Sequence, residues 1–209
     1  MTAKQLLIKL TGTSIICDLD DVIGDFAIPA NKLMNEASGT NLTVANYLSY
    51  DYYDLHGLTR EDFHKIITDN DVFLNMAVKP GAKEGLQLLI DKGFDIHIVT
   101  ARGSFAFAYE LTKVWLDINE IPYSKLHVVD TKIMPKSAVY ETIRGACCLI
   151  DDAPYNIIDA MNSGLGVVPV IINQPWNNEF NGKDKWLTRF RNCRFNNILE
   201  FATLVEVAA

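Results

Sequence analysis

Apolar runs of strand length recur along this chain at residues 14–17, 96–99, 126–129, 147–150 and 167–172. Short apolar runs bounded by polar residues read as strands buried on both faces. Helical patterns fall between most of them. Pro80-Gly81 precedes a helix over 82–92, with Leu86, Leu89 and Ile90 at helical spacing and Gly93 at its end. Residues 105–119 carry Leu111, Val114, Trp115 and Ile118 on one stripe. Residues 137–144 and 155–162 are shorter helices, the second ended by Gly164. Strands alternating with helices imply parallel crossovers and helices on both sheet faces, so the predicted fold class is α/β. Functional residues in such sheets collect at the carboxyl ends of the strands. Asp18, Thr100, Asp130 and Asp151 fall there.

Between Val22 and Lys79 the rhythm stops. That segment has no strong strand run, has helical patterns at 29–37, 44–50 and 60–68, and is rich in tyrosine and aspartate (Tyr47, Tyr50, Asp51, Tyr52, Tyr53, Asp54). A structureless loop of that length is uncommon inside a compact domain. A small helical cap above the sheet fits better. The predicted organisation is an α/β core of residues 1–24 and 79–209 with a helical cap of residues 25–78.

The first run enters a dense group of acids, Asp18-Leu19-Asp20-Asp21. Residues two apart on a strand face one side, so Asp18 and Asp20 can converge at its end. Two carboxylates about 4 Å apart repel by roughly 4 kcal/mol at an effective dielectric near 20. A cation or a proton has to relieve that repulsion, which suggests a metal and acid–base chemistry. Further along, Asp151-Asp152 follows Cys148-Leu149-Ile150, Thr100 follows Ile96-His97-Ile98-Val99, and Lys136 follows Pro135 at the start of a helix. An isolated acid pair usually marks a solvated turn; an apolar strand ahead of each pair argues for a site instead.

A net charge of −7 disfavours extended nucleic acid as a partner but permits a small anionic substrate at a locally positive site. Cys17, Cys147, Cys148 and Cys193 show no CxxC spacing and read as reduced thiols of a cytosolic protein. The adjacent Cys147 and Cys148 are expected on opposite sides of a strand. No apolar run approaches the ~20 residues of a membrane span. The start, Met1-Thr2-Ala3-Lys4-Gln5, shows no signal peptide, so the expected location is cytoplasmic.

In their order and strand context, these pieces resemble the haloacid dehalogenase superfamily of phosphohydrolases, over residues from about Ser14 to Ile172. The chain is most similar to the 5′(3′)-deoxyribonucleotidases and their bacterial and phage relatives. The features that carry this are Asp18-Leu19-Asp20-Asp21-Val22-Ile23-Gly24-Asp25-Phe26, the Thr100-Ala101-Arg102 turn, Leu149-Ile150-Asp151-Asp152-Ala153-Pro154-Tyr155-Asn156, and the cap after the first motif. Asp21 departs from the family, which usually has Gly or Asn there, and could weaken or reshape the turn into the cap. The resemblance implies a Rossmann-like core and a magnesium-dependent phosphomonoesterase. Asp18 would be the nucleophile, forming an aspartyl-phosphate, and Asp20 the acid and then the base. Mg²⁺ would be bound by Asp18, the Asp20 backbone carbonyl and Asp152, while Asp151 orients Lys136 or a metal-bound water. Thr100 and Lys136 would hold the transferring phosphoryl oxygens, Ala101 and Arg102 would contact the substrate, and Phe26 would pack on the base or sugar.

Several alternatives stay open. Lys132 lies in the same interval as Lys136, although Lys136 has the position the family uses. Arg102 is either a surface charge or a substrate contact. Thr100 serves equally as a helix N-cap and a phosphate ligand. The cap tyrosines either pack or stack on a base. His97 is expected to be a hydrogen-bonded structural residue, and Gln174-Pro175-Trp176-Asn177 either borders the site or forms a plain turn. The expected substrate is a deoxyribonucleoside monophosphate. A sugar phosphate is the alternative, and a non-catalytic phosphate-binding protein or a nucleic-acid end-processing phosphatase fits less well. A homodimer is compatible with all of these.

Overall fold

The computed structural model describes residues 8–49, 51–181 and 193–207. In chain order the elements are β1 (Ile8–Leu10), β2 (Ser14–Cys17), β3 (Gly24–Asp25), α1 (Ala27–Ser38), α2 (Arg60–Asp69), α3 (Val72–Asn75), β4 (Ala77–Val78), α4 (Ala82–Asp91) and β5 (Asp95–Thr100). They continue with α5 (Ala108–Ile118), β6 (Lys125–Val128), α6 (Lys136–Tyr140), β7 (Ala146–Asp151), α7 (Pro154–Asn162), β8 (Val168–Ile172), β9 (Arg194–Phe195), α8 (Ile198–Leu204) and β10 (Val205–Val207). Among the described residues the main sheet is parallel and six-stranded, in the order β6-β5-β2-β7-β8-β9.

The unbroken apolar run of β2 matches its central place, since all four of its residues are buried. Its side chains alternate between two layers. Ile15 and Cys17 pack with Leu86 and Leu89 of α4, Trp115 and Leu116 of α5, and Phe201 of α8. Ile16 packs with Val99, Leu149, Tyr140 of α6 and Ile157 of α7. Helices therefore cover both faces, as expected.

The structure departs from the sequence reading in places. A strand, β1, precedes β2 and pairs with β10 in a separate two-stranded sheet. Both strands are too short to give a periodic signal. The residues Met1–Gln5 lie outside the described ones. In β7 a bulge sets Ala146 opposite Ser14 but Cys148 opposite Ile15, so Cys147 is the extra residue. Cys147 and Cys148 accordingly join the same apolar cluster rather than opposite ones. All four thiols are free.

The stripe on α5 is also corrected. Its buried residues are Ala108, Thr112, Trp115 and Leu116, while Val114 and Ile118 are 45% and 73% exposed. Thr112 turns inward because its hydroxyl accepts a hydrogen bond from Arg102 Nη1 at 3.2 Å, so a polar residue sits on the core face.

Between β2 and β4 the chain leaves the sheet and returns. Gly24 pairs with Val78 and Asp25 with Ala77 in an antiparallel ladder, which brings the two limbs of the insert together. The predicted helix over 44–50 is a single 3₁₀ turn, Val44–Asn46, held where Thr43 N donates to Asn46 Oδ1 at 2.8 Å; Tyr50 is outside the described residues. Tyr47 and Tyr52 stack at 4.2 Å, and Tyr47 Oη donates to Asn31 Oδ1 at 2.6 Å. Tyr47 and Tyr52 thus contribute to packing within the insert. Among the described residues no helix is long and apolar enough to cross a membrane.

Candidate active site

The carboxyl edge of the main sheet gathers the separated motifs. Asp18 follows β2 directly, with its amide donating to Ile150 O at 2.8 Å. Thr100 and Asp151 end β5 and β7, and Lys136 begins α6. Carboxylate oxygens of Asp18, Asp151 and Asp152 lie within 4.8 Å of one another, and all three residues are buried. Lys136 Nζ lies 2.9 Å from Asp18 Oδ1 and 3.0 Å from Asp151 Oδ2. Lys132 is exposed, and its amide donates to Asp130 Oδ1. Lys136, not Lys132, belongs to the cluster.

The acids differ in how they are satisfied. Asp151 accepts from Lys136, from Ala153 N at 2.9 Å and from Asn156 Nδ2 at 3.0 and 3.1 Å. It is a fixed brace for the lysine. Asp152 Oδ2 accepts from Trp176 Nε1 at 2.8 Å, whereas its Oδ1 is buried with no hydrogen-bond partner among the described residues. Burial pushes the Asp18 carboxyl up to about 7, with Lys136 opposing and Asp151 and Asp20 adding to the rise. Burial also holds Asp152 well above the usual carboxylate range, reinforced by Asp151 and Asp18. For Lys136 burial acts to lower the value, but the charges of Asp151 and Asp18 override it and hold the ammonium well above its ordinary range. One ammonium among three buried carboxylates leaves negative charge uncompensated. With an orphaned carboxylate oxygen, this all-oxygen donor set fits a hard divalent cation.

Asp20 goes elsewhere. Arg102 Nε donates to its Oδ2 at 2.9 Å and Nη2 to its Oδ1, and Thr100 Oγ1 lies 3.4 Å from Oδ2. The repulsion expected between Asp18 and Asp20 is thus relieved by two different cations, Lys136 for one and Arg102 for the other. Arg102 is 2% exposed, which removes the surface-charge alternative.

Asp21 adopts a left-handed backbone, φ 59°. Glycine or asparagine is the easier residue there, but a short carboxylate is tolerated when it bonds locally. Asp21 Oδ1 accepts from Ala27 N at 2.9 Å at the start of α1, and its carbonyl accepts from Gln174 Nε2 at 2.6 Å. The unusual acid fastens the turn to the insert rather than weakening it. Burial pushes its carboxyl up to about 7.

Beside these groups lies a cavity of about 410 Å³ whose walls come from the insert and from the loops after β5 and β6. Asp20, Asp21, Ala101 and Arg102 line it, together with Phe26, Tyr52, Phe63, Phe73 and Phe105. Phe26 packs on Phe73 at 5.9 Å and Phe63 at 6.2 Å. His64 of α2 stacks on Phe105 at 4.2 Å, joining the insert to the loop after β5. Gly103 permits that loop's close approach, because a Cβ there would lie 2.4 Å from Asp130 N. His97 Nδ1 meets His127 Nε2 at 3.1 Å on the neighbouring strand, the structural pairing expected of it.

The sequence reading left Trp176 undecided and missed Asn156 and Thr112 as partners of the site. Trp176 bonds a candidate metal ligand while its ring lies 5.8 Å from Tyr52 of the insert. Trp176→Phe keeps most of the ring contact and removes the indole N–H. Partners of metal ligands typically contribute 10–100-fold in affinity. Titration calorimetry with Mn²⁺ is expected to show binding weakened by about ten-fold or more. Unchanged affinity would mean that the indole does not orient Asp152.

A family model described as 5′ nucleotidase, deoxy (pyrimidine), cytosolic type C protein matches residues 13–188. A Chlorobaculum tepidum protein described as a candidate 5′(3′)-deoxyribonucleotidase is 29% identical over 181 residues, covering 78% of this chain and 81% of its own. In fold, the chain is similar to a predicted phosphatase of Clostridium acetobutylicum (TM-score 0.58, 14% identity, 95% of this chain and 94% of that one). It is likewise similar to the L-2-haloacid dehalogenase of Xanthobacter autotrophicus (TM-score 0.57, 12% identity, 93% and 98%).

Proposed function

Since the chain belongs to the 5′ nucleotidase, deoxy (pyrimidine), cytosolic type C family, we propose that it hydrolyses deoxyribonucleoside monophosphates with Mg²⁺, through an aspartyl-phosphate on Asp18. Membership makes it a phosphoric monoester hydrolase with a haloacid dehalogenase fold. The observation that carries the finer reading is the buried contact of Asp18 with Lys136, next to the unpartnered Asp152 oxygen.

In this reading Asp18 attacks phosphorus while the bond from phosphorus to the ester oxygen breaks, and Asp20 gives its proton to that oxygen. Water then attacks phosphorus, Asp20 takes the water's proton, and the bond to Asp18 breaks to release inorganic phosphate. Lys136 and Thr100 hold the phosphoryl oxygens, and Asp151 braces Lys136. Asp18, Asp152 and the Asp20 carbonyl would hold Mg²⁺, which supplies positive charge against the approaching phosphate. Residues 25–78 act as the cap, and its aromatic wall, with Phe26, receives the nucleoside. The cytoplasm is the expected place of action, in line with the family's description.

Phosphate release from a panel of nucleotides and sugar phosphates, with Mg²⁺ and with EDTA, tests this. Deoxyribonucleoside monophosphates are expected to turn over fastest, and EDTA to stop turnover. Equal rates on sugar phosphates would remove the nucleotidase reading and leave the phosphatase reading in place. No release from any substrate by folded protein would remove both.

A further inference from the structure

We infer that Arg102 is a positioning residue that sets the acid–base carboxyl of Asp20 and links it to the return limb of the insert, rather than a clamp on the substrate phosphate. This rests on the phosphomonoesterase reading above. The Nε and Nη2 groups of Arg102 reach both oxygens of Asp20. A fork of this kind fixes the plane of a carboxyl as well as its place.

The guanidinium is itself held on its other sides. Nη1 donates to Thr112 Oγ1 at 3.2 Å, Nη2 lies 3.2 Å from Met76 Sδ, and the Phe73 ring centre is 3.9 Å from Cζ. Thr112 belongs to α5, whereas Phe73 in α3 and Met76 lead from the insert back into β4. A phosphate clamp needs donors turned toward the cavity. Here the N–H groups are largely spent on protein partners, and the residue is 2% exposed.

Asp20 lines the same cavity with more of its surface free, its side chain being 20% exposed against 2% for Arg102. Each carboxyl oxygen offers two lone-pair directions. The fork occupies one on each, so another remains for a proton exchanged with the substrate. A shift of Phe73 or Met76 moves the guanidinium, and the guanidinium moves the acid.

Leaving-group chemistry separates this role from a structural one. The 5′-oxygen of a nucleoside departs readily only with a proton, and that proton comes from Asp20. The p-nitrophenolate ion departs without one. Misplacing Asp20 therefore slows phosphorus–oxygen cleavage in the nucleotide and spares it in p-nitrophenyl phosphate. The value of kcat/KM covers steps only through departure of the leaving group. Later attack of water on the aspartyl-phosphate still needs Asp20 as base, so the intermediate accumulates.

Arg102→Lys keeps a cation and removes the fork. Its kcat/KM on a deoxyribonucleoside 5′-monophosphate is expected to fall about 100-fold, and on p-nitrophenyl phosphate to stay within about five-fold. A burst of p-nitrophenol followed by slow turnover should accompany this. Thr112→Val, of the same shape and outside the cavity lining, is expected to give a smaller loss of the same selectivity, about five-fold. It carries the test if Arg102→Lys folds poorly. Equal losses on both esters in the folded variants would overturn the proposal and leave the phosphatase reading standing. Hydrolysis of neither ester by the unaltered protein would overturn both.

Discussion

Asp18→Asn is expected to abolish turnover, by at least about 10⁴-fold, while raising the stability of the metal-free protein. The two effects have one cause. Asp18 is buried beside Asp151 and Asp152 with, among the described residues, only Lys136 paired to it, an arrangement useful for attack on phosphorus and costly for folding. An amide in its place still offers an oxygen to Lys136 and no longer repels the neighbouring carboxylates. The gain at pH 8 without metal is expected to be roughly 1–3 kcal/mol.

The pH dependence gives a sharper form of the same expectation. Burial raises the Asp18 carboxyl from 3.8 to about 7 in the folded protein. Between those values the folded state holds more protons than the unfolded chain, so metal-free stability falls as pH rises from about 4 to about 7. Above that the loss is complete. His56, His64, His97 and His127 are lowered by burial and act in the opposite sense as pH falls through their ordinary 6.5. They and Asp21 are present in both proteins, so the difference between the two melting profiles reports Asp18 together with its coupling to Asp152. Calorimetry in EDTA at pH 5.5 and 8 should show the variant's advantage growing with pH, and Mg²⁺ should stabilise the unaltered protein more. A variant less stable at pH 8, or one with near-normal turnover, would contradict the assignment.

What could be read from the chain beforehand follows from the range of each interaction. Asp18, Thr100, Asp151 and Lys136 were legible because each sits next to a strand or helix with its own hydrophobic signal. Once the sheet is parallel, their convergence at one edge follows. The buried role of Arg102 was not legible, because it depends on Asp20, on Phe73 and Met76, and on Thr112, which three different parts of the chain deliver. The misread stripe on α5 has the same origin. Spacing cannot reveal that a threonine will be buried by an arginine's hydrogen bond. The bulge at Cys147 left no trace either, since one extra residue in an apolar strand changes no composition. For Trp176 a loop bordering the site and a plain turn were equally open, and only the fold brings its N–H to Asp152.

Lys136→Met should be the most damaging single change to the fold itself. The side chain is 2% exposed and bridges Asp18 and Asp151. Methionine has similar length and volume, so packing is nearly conserved and the charge is what goes. Removing one partner of a buried ion pair typically costs 3–5 kcal/mol, because the remaining charge is left uncompensated. Here the residue leaves several carboxylates behind, and turnover should fall by about 10³-fold with the loss of its contact to the transferring phosphate. The carboxylates have an escape, which is to take up protons. Destabilisation should therefore be larger at pH 8 than at pH 5, and smaller when Asp18→Asn is already present, so that the two substitutions are not additive. Urea unfolding of the four proteins of this cycle in EDTA, at both pH values, measures that coupling. Equal destabilisation at both pH values and in both backgrounds would reduce Lys136 to a packing residue, and its proposed hold on the phosphate would lose its electrostatic basis.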